Sequence, residues 1–178
     1  MGLAFFNSDD LEHYLNSNFA NSTNQLGAFN SSADFFMELG YELNENYQVG
    51  FEYNFNLYSF NSSFGVGIYD LSLSHHKPSL IGYYIIKGIG YKFKLGAGAG
   101  LRMVQIEEKL LGVSDYSTNG LGFVFKAQGD TKLSGNFYAL IAGELRYDLP
   151  GEIQTLGEKT IGFNSIGVGL NLGTTYYF

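Results

Sequence analysis

The sequence predicts an all-β fold: a transmembrane, antiparallel, up-and-down β-barrel of about eight strands, with a short helix in its N-terminal loop. Three observations carry this expectation. Apolar and small polar residues alternate with a period of two in long runs from Ala33 to Phe178, and no helical period spans the chain. The face opposite the apolar one is dominated by Gly, Ser and Asn with a few charges of both signs, whereas a solvated sheet face is rich in Lys, Glu and Thr. Tight links at Asn44 to Asn46, Lys87 to Gly90 and Asp130 to Gly135 alternate with longer polar ones at Lys109 to Asn119 and Pro150 to Gly162. Short turns at one rim and long loops at the other are the habit of outer-membrane barrels.

Taken in order, Gly2 to Phe6 reads as a clipped first strand. Ser8 before Asp9-Asp10-Leu11-Glu12 is an N-cap followed by an acidic first turn, so a helix is expected over 8–16, with Asp9 to Leu15 as its body. It either sits in the loop or lies at the membrane rim with Leu11, Tyr14 and Leu15 toward lipid. Ala33, Phe35, Met37, Leu39, Tyr41 and Leu43 share one face. Tyr47, Val49, Phe51, Tyr53, Phe55 and Leu57 resume it after the turn, which makes a hairpin. Tyr69, Leu71 and Leu73 alternate with Asp70, Ser72 and Ser74, then Lys77-Pro78 interrupts, and the phase over Leu80 to Ile86 is ambiguous. One long strand with a bulge near Pro78 fits, since Pro cannot donate to a ladder. Ile89 to Met103 alternates with Gly, Lys92, Lys94 and Arg102. Leu121 to Ala127, Phe137 to Tyr147 and Ile166 to Phe178 complete the set.

Composition narrows the class. The 178 residues suit one domain, and 17% aromatic against 15% charged residues argues against disorder. The absence of Cys excludes disulfide scaffolds and thiolate metal sites. A net charge of -7 gives no electrostatic footprint for nucleic acid. Leu80 to Ile86, the most apolar stretch, is far shorter than the roughly 18 residues of a spanning helix. With no basic-then-apolar leader at its start, the chain reads as a mature or recombinant form. A soluble lipocalin-like barrel, apolar inside and polar outside, is the competing architecture. It calls for a more charged second face than these strands offer.

Asn171-Leu172-Gly173-Thr174-Thr175-Tyr176-Tyr177-Phe178 resembles the terminal insertion signal of bacterial outer-membrane barrels. The order of Gly-Leu-Ala-Phe-Phe, a short Asp-rich helix, a Gly-and-aromatic hairpin and Leu95-Gly96-Ala97-Gly98-Ala99-Gly100 is similar to small OmpA-like and OmpW-like barrel proteins. The resemblance covers nearly the whole chain as pattern more than identity, and departs in the short first strand and the missing Trp. It implies a monomeric barrel in the bacterial outer membrane, in contact with lipid and lipopolysaccharide. It also implies that the barrel-assembly machinery reads Asn171, Gly173, Tyr176 and Phe178.

Glu38, Glu42, Glu52, Lys92, Lys94, Arg102, Lys126, Glu144 and Arg146 all fall on the Gly-rich face. Opposite charges in a low-dielectric lumen must pair, so an ionic network plugging the barrel is expected; a narrow ion pore is the alternative. Asp70, Ser72, Ser74 and His76 share one strand face, and Ser, His and a carboxylate are the parts of an acyl-transfer triad. Ser74, His76 and Asp70 are therefore the candidates for a membrane-embedded lipid hydrolase, against a non-enzymatic scaffold. His75 and His76 point to opposite faces and cannot chelate a metal together. Gly96 to Gly100 is no dinucleotide loop, because alternation continues through Met103. No cofactor is implied. The expected role is structural or surface-displaying, with lateral passage of small apolar molecules as the variant that the OmpW-like resemblance implies.

Overall fold

The computed structural model describes the chain apart from residues 21–24, 28–29, 65–66, 111 and 155–159. In chain order it forms β1 (Gly2–Asn7), α1 (Asp9–Asn18), β2 (Asn30–Glu42), β3 (Tyr47–Phe64), β4 (Gly67–Gly88), β5 (Tyr91–Lys109), β6 (Val113–Ser134), β7 (Phe137–Leu149), β8 (Glu152–Gln154), β9 (Thr160–Gly162) and β10 (Ser165–Tyr176). Eight of these strands, β1 to β7 and β10, make the wall. Each pairs antiparallel with its neighbours, and β10 closes the ring by pairing with both β7 and β1. Helix α1 occupies the first loop. Within the expected Pro150 to Gly162 loop, β8 and β9 pair as a small ribbon at the same rim, and the remainder of that loop, 155–159, lies outside the described residues.

Alternation fixes which side chains face out. Met37, Leu39, Phe51, Leu80, Phe93, Phe125, Ile141 and Leu172 are among the large apolar residues exposed on the outer wall. Inside, Glu52, Lys94, Arg102, Lys126, Glu144 and Arg146 are buried. A lipocalin-like barrel has the reverse polarity, so that architecture does not describe this wall. Inward glycines leave space for these ions and rings. A Cβ on Gly122 would collide with the Arg102 guanidinium, and one on Gly96 would collide with the Tyr83 ring.

Above this belt the polarity inverts. In β4 the odd residues from Tyr69 to Ile85 point inward, so Tyr69, Leu71 and Leu73 are buried while Asp70 and Ser72 are exposed. They pack with Phe60, Val104 and Ile106 against Leu11, Tyr14 and Leu15 of α1 and against Ile153, Ile161 and Phe163. The helix is thus an inward plug whose apolar stripe faces the core, which corrects the placement at the membrane rim. Ser8 stands at its N-cap and its carbonyl accepts from the Glu12 N–H, but its hydroxyl makes no cap bond.

Other local expectations are corrected too. No register shift occurs at Pro78. The β3–β4 pairing runs through it, and the β4–β5 ladder skips Lys77 and Pro78 and resumes in the same register at Ser79 and Gly100. Leu101, which that register puts opposite Pro78, has its carbonyl satisfied by Arg102 Nη1 at 2.8 Å, in place of the N–H that Pro lacks. A register shift does occur between Lys132 and Ser134. Lys109 to Asn119 is mostly ladder, paired between β5 and β6, and Asp130 to Ser134 belongs to β6. The phase over Leu80 to Ile86 is hidden in the sequence because both faces are apolar there, with Ile81, Tyr83 and Ile85 buried inside.

Candidate functional site

The lumen concentrates the chain's charge, and strand register sorts that charge into layers. Under the α1 plug, Asp148 sits between two cations: Lys77 Nζ lies 2.9 Å from one of its oxygens and Arg102 Nε donates to the other. Arg102 Nη1 also donates to Ser79 Oγ at 3.1 Å. In the next layer Arg146 donates to both Glu144 oxygens, at 2.6 and 2.9 Å, and to Glu52. Lys126 pairs with Glu52, and with Glu38 at 3.3 Å, while the Tyr83 hydroxyl donates to Glu38 at 2.6 Å. Nearby, Asp34 accepts from Asn54 at 2.6 Å and Asn56 at 3.0 Å.

Toward the short-turn rim, Lys94 lies 3.4 Å from Asp130, which also accepts from Gln128, Thr175 and Tyr177. At the rim itself Lys87 and Lys92 share Glu42, at 2.8 and 2.7 Å. The structure brings all nine lumen residues named from the sequence into these clusters. Lys77, Asp130 and Asp148 are members that sequence reasoning missed. Strand parity puts Asp148 on the same face as Glu144 and Arg146, which is the signal that would have found it.

Between the plug and the Asp148 layer lies a cavity of about 40 Å³, lined by Leu11, Leu73 and Val104 above and by His75, Lys77 and Arg146 below. That is room for a few water molecules. In the plug itself, Glu108 is fully buried and accepts from the hydroxyls of Tyr14, at 2.9 Å, and Tyr69, at 2.5 Å. These two bonds tie α1 to β4 and β5 across the barrel mouth.

Ser74, His76 and Asp70 do not form a triad. All three lie on the outer face of β4, as strand parity requires. His76 Nδ1 is bonded to the Tyr53 hydroxyl at 2.6 Å, and its ring rests 4.7 Å from that of Phe55. Asp70 stands six residues further up the strand, about 20 Å away at roughly 3.3 Å per residue. Among the described residues no group of three or more His, Asp or Glu is placed to hold a metal ion. Of the terminal motif, Asn171 is buried in the lumen, Gly173 lies near Phe36, and Tyr176 faces outward against Phe137 and Phe178.

With the ring closed and its belt apolar outside, the chain can be set beside known structures. It is similar to the crystal structure of Neisserial surface protein A, with a TM-score of 0.52 over 99% of this chain and 95% of that one, at 13% sequence identity. The fold is that of an eight-stranded, antiparallel up-and-down β-barrel. No family model matches the chain, and no curated protein matches it. The likeness is therefore one of architecture, a ring of eight antiparallel up-and-down strands.

Proposed function

We propose that this protein is a closed, monomeric scaffold of the bacterial outer membrane whose working part is the cap that it holds above the bilayer. The observation that carries this reading is the filling of the lumen. Among the described residues, paired ions occupy the belt and an apolar plug fills the mouth, which argues against a continuous water path for a solute. The nine lumen residues act as an internal frame. Each buried charge is compensated by a partner, and removal of one partner strands the other. Lipid and lipopolysaccharide are the partners of the belt in this reading, and the barrel-assembly machinery is the reader of Asn171, Gly173, Tyr176 and Phe178.

In planar lipid bilayers the purified barrel is expected to give no steady single-channel current. Regular conductance steps would replace the scaffold reading by the narrow pore. Lateral passage of small apolar molecules is a second reading, favoured by the cavity beneath the plug. That cavity reaches the wall at the β1–β10 junction, where Ala4, Gly167 and Gly169 line it beside Phe5, Phe6 and Val168. Faster uptake of an apolar fluorescent probe by vesicles holding the protein would support passage, and an unchanged rate would dismiss it.

A further inference from the structure

On the outer face of β3 to β6, the register lines up side chains in rows perpendicular to the strands. One row reads Phe55, His76, Met103 and Asn119. The row above it reads Leu57, Ser74, Gln105 and Ser117, and the next reads Ser59, Ser72, Glu107 and Asp115. The outer face therefore grows more polar from row to row across four strands: the first row alternates apolar Phe55 and Met103 with His76 and Asn119, and the two rows above it keep only Leu57 as an apolar member. Over the two upper rows the outer wall is hollowed by about 830 Å³; seven of the eight side chains of those rows are polar, and Ala33, Tyr58, Leu73, Ile106 and Tyr116 complete the lining.

The chemistry of the hollow is specific. It offers four serine hydroxyls, the Gln105 amide and the carboxylates of Glu107 and Asp115. Glu107 is paired with Lys109 at 2.6 Å, which occupies the nearest cation. Glu107 and Asp115 are direct cross-strand partners, a like-charge pair that costs stability unless a donor bridges it. The lining of the hollow contains no Lys or Arg, so it does not select a phosphate. Neighbouring hydroxyl donors and acceptors beside paired carboxylates are what a sugar ring can satisfy, because each ring hydroxyl both donates and accepts. Four strands at about 4.8 Å spacing give a row roughly 14 Å long, enough to seat a disaccharide.

The occupant is also limited from below. Directly under the hollow, half-buried Phe55 and exposed Met103 and Leu101 stand beside His76 and Asn119, and this part of the wall leads down into the apolar belt. A ligand seated here is amphipathic, with sugars against the Ser and Gln rows and chains against the belt. We propose that this hollow binds the neutral saccharide headgroup of an outer-leaflet glycolipid, which rests on the reading of the chain as a membrane-embedded barrel.

The test uses the full chain in nanodiscs of phosphatidylcholine containing equal traces of digalactosyl diacylglycerol and phosphatidylglycerol with matched chains. Native mass spectrometry reads the lipids retained on the protein. Relative to its share of the bilayer, the digalactosyl lipid should be retained about tenfold over either phospholipid, a ratio that corresponds to about 1.4 kcal/mol. The double variant Ser74→Leu, Gln105→Leu should bring retention down to the phospholipid level, while the heat-dependent gel shift of a folded barrel persists. Equal retention of all lipids, preference for phosphatidylglycerol, or retention unchanged in the double variant would each overturn the proposal. Should that variant not fold, Glu107→Gln with Asp115→Asn, half-buried and exposed respectively, should lower retention in the same way, and unchanged retention there counts equally against it. A chain that shows no gel shift and does not enter nanodiscs would overturn the membrane reading itself.

Discussion

The belt and the cap are built from the same strands by opposite rules. Below the row of Phe55 and His76, the wall of β3 to β6 is apolar outside and encloses ions. Above it, the same strands are mostly polar outside and enclose Tyr69, Leu71, Leu73 and α1. Strand parity does not change between Tyr69 and Ile85 of β4, so the difference lies in which residue types occupy the two faces. The solvent, not the backbone, decides the inside. Where lipid surrounds the wall, charge goes inward and must be paired; where water surrounds it, apolar side chains go inward and need a cover. Helix α1 is that cover.

Three perturbations separate the two regions. The largest effect is expected in the belt. Arg102→Met leaves Asp148 with Lys77 alone and frees the Leu101 carbonyl opposite Pro78. Breaking a buried ionic cluster in this way costs about 3–5 kcal/mol, read as a lower urea midpoint for loss of the folded gel band. An unchanged midpoint would mean that the belt ions are individually dispensable. Leu15→Ala removes a fully buried side chain from the cap, at a cost of about 2–3 kcal/mol. That loss should appear as faster proteolysis of the α1 loop with the gel shift intact. A drop in the gel-shift midpoint equal to that of Arg102→Met would instead make belt and cap one cooperative unit. The smallest effect is expected for Ser8→Ala. Its hydroxyl makes no cap bond, so stability should move by less than about 0.5 kcal/mol, against roughly 1 kcal/mol for a working cap.

Much of the belt is legible in the sequence. The alternation of Phe35, Met37 and Leu39 with Glu38, and of Leu101 and Met103 with Arg102, states both the period and the direction, because a long uncharged face beside a sparse ionic one suits lipid. The cap is less legible for a physical reason. Tyr69, Leu71 and Leu73 alternate with Asp70, Ser72 and Ser74 just as a lipid-facing strand would, and only the distant Leu11, Tyr14 and Leu15 reverse the meaning. Lys77 is hidden in a similar way. A bulge at Pro78 would shift the phase around it, whereas the unbroken register puts Lys77 inside beside Asp148. Long-range cover and the tolerance of a ladder for one Pro are tertiary facts, and no local pattern announces them.

The continuity of β4 from belt into cap has a mechanical consequence. From Gly67 to His75 the strand runs about 26 Å beyond the lipid-facing rows at roughly 3.3 Å per residue, which is about 20 Å in height at a tilt of about 40°. Its neighbours β3, β5 and β6 rise with it through unbroken pairing, so this height is held by a ladder and not by a tether. The cap therefore stands on a mast. Helix α1 packs on Leu71 and Leu73 inside this ladder, so the cap is held at a fixed distance and orientation relative to the belt.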